Sequence, residues 1–454
     1  MHTIKAHRLH ALVFLGFRFL FGKPLGKPLR NSSTPTAHRG RHGAFWGAVL
    51  GISVSIVPLY IVLFVSNGMI QGITDRYLET KTSHLQLSLP LGVSGETRKK
   101  LQQDILGLKG VVSTSFEVDG IGLAASPGGS VSAHVRGLDQ SVVADPGFKK
   151  FIQIDSGNIF PEKQNEAVLG RYLARALGVG VGDTVTLITL SDAYEGQMLP
   201  KLNIFRVAGI VSSGYRELDA NWFIVQSDTA LRLLNPSTAH AFIGVKTADP
   251  YGSTLNGIAS EVHDQLVQSG LSDIPGFNIR TWRDIERSLF ASFSSTKSIL
   301  ILIMAIAIIV AAVNLGSALS TYVIEHRTEI AVLRACGVSS KQTASIFLLG
   351  GAATGTLGCI AGSAVGIFIS FYINQILSGI QTAIDFVSRL LAPASHPVTL
   401  LNPDYYLEHV PISIDWNYII LIVGVGIAVS ALVSLVPAVK SSRIAPAELI
   451  RHGE

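Results

Sequence analysis

The chain has 454 residues, 48% hydrophobic and 15% charged, with a net charge of +5 and two cysteines. That balance fits an integral membrane protein that keeps one sizeable soluble domain. It argues against a disulfide-stapled domain, because Cys336 and Cys359 both fall at or inside the membrane. The basic excess gathers ahead of the first apolar run, where eight Lys or Arg from Lys5 to Arg41 stand with no acidic residue. It is a topology signal, and no nucleic-acid partner is expected.

At the N-terminus, Leu9, Leu12, Val13, Leu15, Phe17, Phe19 and Leu20 alternate with His7, Arg8, His10 and Arg18, which suits an interfacial helix or a frayed basic leader. The Pro-, Gly- and Ser-rich stretch Lys23–Gly43 reads as a linker. Five histidines up to His42 fit no ligand spacing, and no metal is expected. Ala44–Val65 is the first apolar run; its length and its continuation into Ser66-Asn67-Gly68-Met69 mark an uncleaved span. Helical spacing through Met69, Ile73 and Tyr77 predicts that this helix extends outward as a stalk.

The domain that follows mixes predicted strands at Leu85–Leu89 and Thr184–Leu187 with predicted helices at Arg98–Leu108, Arg171–Leu177 and Ile258–Ser269. Three further runs, Ile299–Ile324, Ile346–Ile373 and Tyr418–Val439, are each long enough for a ~30 Å hydrocarbon layer. The expected fold is an α-helical membrane protein with four transmembrane helices and a large α+β domain between the first and second spans. Its expected divisions are 1–43, a cytoplasmic N-terminus with interfacial helix; 44–68, span one; 69–290, the outer domain; 296–324, span two; 325–343, a cytoplasmic turn; 344–374, span three; 375–416, an outer loop; 417–439, span four; and 440–454, a cytoplasmic tail. Arg327, Arg334 and Lys341 after span two, and Lys440, Arg443 and Arg451 at the C-terminus, agree with both termini inside.

No run contains Asp, Glu, Lys, Arg or His, which argues against an ion-coupled carrier. There is no phosphate-binding G-x-x-x-x-G-K-[ST] loop, so work on a substrate requires energy from another subunit. Ser294-Ser295-Thr296-Lys297 has the S-x-x-K spacing of an acyl-enzyme but lacks its partner motifs, and no enzyme activity is expected. In span three, Gly358, Gly362 and Gly366 form a small-residue ladder that admits a close helix, from the same chain or a second copy.

The turn after span two, from Glu325 to Gln342, places Ile330, Leu333 and Gly337 on one side and offers Arg327, Glu329 and Arg334 to the cytoplasm. It reads as a solvated loop or as a short amphipathic helix that docks into a partner's groove. The pattern E-H-R-T-E-I-A-V-L-R-A-C-G-V closely resembles the coupling segment of ABC-transporter permeases of the MacB/FtsX superfamily. Val436–Arg451, V-P-A-V-K-S-S-R-I-A-P-A-E-L-I-R, looks like the closing motif of the same superfamily. The resemblance spans essentially the whole chain.

Several stretches look specifically like lipoprotein-releasing permeases of the LolC/LolE type. Val65-Ser66-Asn67-Gly68-Met69 resembles V-M-N-G-F, departing at Ser66 and Met69; Ala167–Ala174 with Val181–Val185 resembles L-G-x-x-L-A and V-G-D-x-V. Trp282 to Phe290 resembles the approach to span two, and Tyr405–Ile412 the loop before span four. The resemblance implies a separate cytoplasmic ATPase that binds ATP and Mg, with no cofactor on this chain. It also implies a second permease copy or paralogue, a lipoprotein substrate and a periplasmic lipoprotein chaperone.

Carried onto this sequence, the implied ATPase-coupling residues are Glu325, Arg327, Glu329, Leu333, Arg334 and Gly337, and Asn67, Gly68 and Met69 line the mouth of the substrate cavity. The stretch Ser191–Leu202, with Met198, Leu199 and Pro200 near its tip, corresponds to a chaperone hook or to a variable surface hairpin. Rival readings are a MacB-type exporter of peptides or small molecules and an FtsX-type transducer acting on a wall hydrolase.

Overall fold

The computed structural model describes residues 43–192, 198–270, 276–325, 327–391 and 411–442. The N-terminal leader, the tip at 193–197, most of the Tyr405–Ile412 stretch and the end of the closing motif lie outside the described residues. The chain divides into two compact units, one holding 43–68, 294–380 and 412–442, the other 69–293 and 381–391.

Helix α1 (Gly43–Tyr77) runs into a π-turn at Leu78–Thr82, then β1 (Leu85–Leu89), α2 (Gly95–Leu106), β2 (Val111–Ser126) and β3 (Gly129–Leu138). Short helices α3 (Gln140–Ala144) and α4 (Pro146–Phe151) lead to β4 (Gln153–Gly157), β5 (Glu166–Gly170) and α5 (Arg171–Leu177). The hairpin β6 (Thr184–Asp192) and β7 (Met198–Ser212) precedes α6 (Arg216–Asp219), β8 (Trp222–Gln226) and α7 (Ser227–Leu233). The domain closes with β9 (His240–Thr247), α8 (Thr254–Gln268), β10 (Asn278–Thr281) and α9 (Trp282–Ile285). Then come α10 (Arg287–Glu325), α11 (Arg327–Ala335), α12 (Ser340–Phe371), α13 (Ile373–Leu391) and α14 (Trp416–Ser442).

The spacing that predicts helices sets them here. In α8, Leu255, Ile258, Val262 and Leu266 recur every three or four residues and are all buried. Ser94 caps α2, its Oγ accepting from the N–H of Thr97, which moves the start ahead of the expected Arg98. The segment expected as a loop at 375–416 opens with α13, whose apolar Ile373, Ile376, Leu377, Ile380 and Ile384 follow helical spacing.

The strands run in the order β10-β1-β9-β2-β3-β8-β5-β7-β4, and β6 pairs with both β7 and β2. That double pairing closes β2, β3, β8, β5, β7 and β6 into a hydrogen-bonded circuit. Two of its pairs, β3 with β8 and β5 with β7, are parallel, so the sheet is mixed. Val185, Leu187, Phe205 and Val207 alternate inward and join Leu85, Leu87, Val135, Leu169 and Phe223 in the main core.

All five residues of β1 are buried, although its sequence alternates apolar and polar side chains. Its polar face is covered: Gln86 Nε2 donates to the Thr82 carbonyl at 3.0 Å, and Ser88 Oγ bonds His240 Nε2 at 3.0 Å. The π-turn reaches β1 through Ser83, held at φ 56° and ψ −179°, a region that side chains disfavour. Ser83→Gly is therefore expected to stabilise the domain by about 1 kcal/mol, read as a higher Tm of the solubilised chain.

Four stretches among the described residues are long and apolar enough to cross a membrane: Val49–Thr82, Arg287–Thr321, Ser340–Phe371 and Trp416–Val439. Helix α12 packs on α1 through the glycine ladder. A Cβ on Gly358 would lie 2.8 Å from Ile52 Cβ, one on Gly362 2.9 Å from the Ser53 carbonyl, and one on Gly366 2.9 Å from Tyr60 Cβ. Two hydroxyl bonds complete the seam, Ser53 Oγ to the Gly358 carbonyl at 3.0 Å and Ser363 Oγ to Tyr60 Oη at 2.9 Å. Gly351 and Gly355 face Ser434 and Ser430 of α14 instead, so α12 presents small residues to two neighbours.

Candidate functional site

The segment after α10 folds as helix α11. Gly337, at φ 97°, stops it, its N–H donating to the Arg334 carbonyl at 3.0 Å. Ser339 then starts α12 in a capping box with Gln342. Arg334 Nη2 donates to Ser340 Oγ at 2.9 Å, so the turn between the two helices is bonded across.

Inward, Ile330 is 1% exposed and packs with Val323 of α10, Phe347 of α12 and Ala438 of α14. One side chain thus joins the ends of three apolar helices, while Val332 points outward. The reading that puts Gly337 on the packed side is corrected, since Gly337 is exposed and serves as the helix stop. The side chains of Glu325, Arg327, Glu329 and Leu333 lie outside the described residues.

Asn67, Gly68 and Met69 lie within the unbroken helix α1. Asn67 is half-buried and Gly68 buried. Met69 packs against the second core of the domain, built from Ile73, Tyr77, Phe148 and Trp222 among others.

In the β6–β7 hairpin, Met198 pairs with Asp192, Leu199 with Ser191 and Pro200 with Leu190. The trio therefore opens the returning strand directly after 193–197, and the Met198 side chain lies outside the described residues. Sequence reasoning missed a larger feature. Leu190, Leu202 and Ile204 share one sheet face with Ile121 and Leu123 of β2, and all five are exposed. The period-two pattern Pro200, Leu202, Ile204 carried the signal, but which of its faces is covered depends on the pairing.

A buried charge network also escaped the sequence. Arg136, fully buried over the Trp222 ring, donates to Glu117 Oε2 at 2.7 Å and to the Thr80 carbonyl at 2.6 Å. Lys246 Nζ lies 2.7 Å from both Glu79 Oε2 and Asp145 Oδ1. Burial opposes the Asp145 charge, but the bonds from Lys246, Phe148 and Ser113 outweigh it and hold the carboxyl below its usual range. Among the described residues, no cluster of His, Cys, Asp and Glu is arranged to hold a metal ion.

Beside the network, burial and then the positive charges of Arg136 and Lys81 push His134 down to about 4. Folded His134 stays neutral while the unfolded chain takes up a proton near pH 6.5, so its contribution is full above that pH and is lost as pH falls toward 4. Between pH 7 and 5 the loss should reach about 1 to 2 kcal/mol. A Tm series over that range should show the drop, and His134→Gln should flatten it.

Residues 301–446 match the FtsX-like permease C-terminal family, and residues 45–261 match the MacB-like periplasmic core domain. The lipoprotein-releasing system transmembrane protein LolC of Neisseria meningitidis serogroup B is 27% identical over 414 residues, 89% of this chain and 93% of that protein. LolC of Haemophilus influenzae is 25% identical over 413 residues, covering 89% and 92%. LolE of the same organism is 24% identical over 423 residues, covering 89% and 93%. With a mixed-sheet domain of the MacB-like kind, apolar helices within the FtsX-like match and relatives that match along nearly their whole length, the chain is similar to permeases of the MacB/FtsX superfamily and, among them, to the LolC and LolE proteins.

Proposed function

We propose that this chain is the permease subunit of an ABC transporter that extracts lipoproteins from the outer leaflet of the bacterial inner membrane. A separate cytoplasmic ATPase binds ATP and Mg and supplies the work, and the chain itself catalyses no reaction. The observation that carries this reading is the near-full-length similarity to lipoprotein-releasing proteins. The docking of α11 on three apolar helices supports it, because a push on α11 reaches α10, α12 and α14 together.

In this reading both termini face the cytoplasm and residues 69–290 the periplasm, as the basic segments favour. Glu325, Arg327, Glu329, Leu333, Arg334 and Gly337 form the ATPase contact. Asn67, Gly68 and Met69 lie at the mouth of a cavity shared with a second copy or a paralogue. Uncharged walls suit acyl chains, each CH₂ of which gains ~0.8 kcal/mol on burial. The exposed Leu199 and Pro200 on the hairpin would receive the chaperone that carries the cargo away.

The deciding experiment purifies the chain gently from its membrane without ATP and identifies its companions by mass spectrometry. A cytoplasmic ATPase together with triacylated proteins that leave on adding ATP is the expected result. An ATPase accompanied by a wall hydrolase or small molecules, with no lipoprotein, would replace this reading by one of the rivals.

A further inference from the structure

Helix α1 ends in the domain and α10 begins there, and the two are tied by residues 205 apart in sequence. Lys81 in the π-turn after α1 donates to Glu286 Oε1 at 2.6 Å. Glu286 sits between α9 and α10, and its carbonyl accepts the N–H of Phe290 in the first turn of α10. Both charged side chains are partly buried, 26% and 18% exposed, and Lys81 also lies over the Tyr77 ring.

Each partner is fixed from behind. On the α1 side, the carbonyls of Glu79 and Thr80 are taken by Lys246 at 3.0 Å and Arg136 at 2.6 Å, cations placed by strands β9 and β3. Cations at the carbonyl end of a helix also match its dipole. On the α10 side, Trp282 is held by its backbone N–H to the His84 carbonyl, by its indole N–H to the Pro250 carbonyl and by an edge-to-face contact with Phe290. Both side chains still reach solvent, so the pair adds only modestly to stability while setting where two helices stand relative to each other.

We propose that Lys81 and Glu286 are positioning residues that clamp the outer ends of α1 and α10 together where both join the domain, so that movement of the two helices passes to the domain as one displacement. The inference rests on the permease reading for its purpose, but not for its geometry.

The test uses the full chain with its ATPase and permease partner in lipid nanodiscs, in a Cys336→Ser, Cys359→Ala background. Spin labels at Gln71→Cys and Ser288→Cys, both exposed positions, report the separation of the helices with and without ATP and vanadate, and lipoprotein release per ATP hydrolysed is measured on the same complexes. Lys81→Ala and Glu286→Ala are each expected to broaden the distance distribution and lower release per ATP by about tenfold. Their Tm should stay within about 2 °C of the parent. The charge-reversed pair Lys81→Glu with Glu286→Lys should restore both readings. Distributions that stay narrow in the single variants, or that the reversed pair fails to narrow, overturn the clamp. A parent complex that hydrolyses ATP but releases no lipoprotein overturns the cargo reading instead, and the distances still decide the clamp.

Discussion

Replacing Gly362 by leucine should abolish assembly of the helical unit and with it all transport activity. A Cβ at this position would already lie 2.9 Å from the carbonyl oxygen and 3.0 Å from the Cα of Ser53, both backbone atoms of α1. A side-chain neighbour could rotate away, but backbone cannot, so the two helices must separate along the whole ladder. That separation also breaks the bonds from Ser53 to Gly358 and from Ser363 to Tyr60. Overpacking of an ordinary core costs about 1 to 3 kcal/mol, and a clash with backbone along a continuous seam should exceed it. The expected result is a full-length protein that no longer elutes as a single folded species from detergent and releases no cargo. Gly379→Leu is the control, because nothing lies within 4 Å of a Cβ there and the same added volume should be tolerated. A Gly362→Leu protein that melts and works like the parent would sink the account of the ladder.

The second large effect is expected at Ile330. Its side chain is 1% exposed and packs among the apolar Val323, Phe347 and Ala438. Aspartate there must either leave the cluster or stay neutral, at a cost of several kcal/mol in both cases. On the proposed reading, undocking α11 would remove the link between an ATPase partner and the ends of α10, α12 and α14. Cargo release should therefore fall by more than about a hundredfold, since each 1.4 kcal/mol is a factor of ten. Ile330→Leu, which keeps volume and polarity, should retain most of the activity. The informative readout is release per ATP hydrolysed: a link that is lost leaves hydrolysis idle or unstimulated, and unchanged release in Ile330→Asp would show that α11 does not transmit the work.

These two sites differ in how far the sequence exposes them. The ladder Gly358, Gly362, Gly366 is visible as a pattern, but a small-residue face fits a helix of the same chain as well as one from another copy. Only the placement of Ile52, Ser53 and Tyr60 against it decides for α1. The segment from Glu325 to Gln342 is visible both as an amphipathic stretch and as a motif. Its inward residue, Ile330, follows from helical periodicity, whereas Gly337 does not join it, because a residue at positive φ ends the helix and points elsewhere. In the hairpin, the register puts Met198, Leu199 and Pro200 on the returning strand, a matter of how many residues the turn contains.

The sequence by itself determined what depends on near neighbours along the chain. The four apolar runs, the α+β character of the intervening domain and the helices at Arg171–Leu177 and near Ile258 are local patterns that hydrophobic periodicity and length report directly, and the superfamily motifs are equally local but are read by resemblance. Tertiary structure decided the rest. The circuit made when β6 pairs with both β2 and β7, the full burial of β1, and the ion pairs of Arg136, Lys246 and Lys81 join residues far apart in the chain. Hydrogen bonds between strands and charges buried together have no period in the sequence; they exist only once folding has brought their partners within a few ångström of each other.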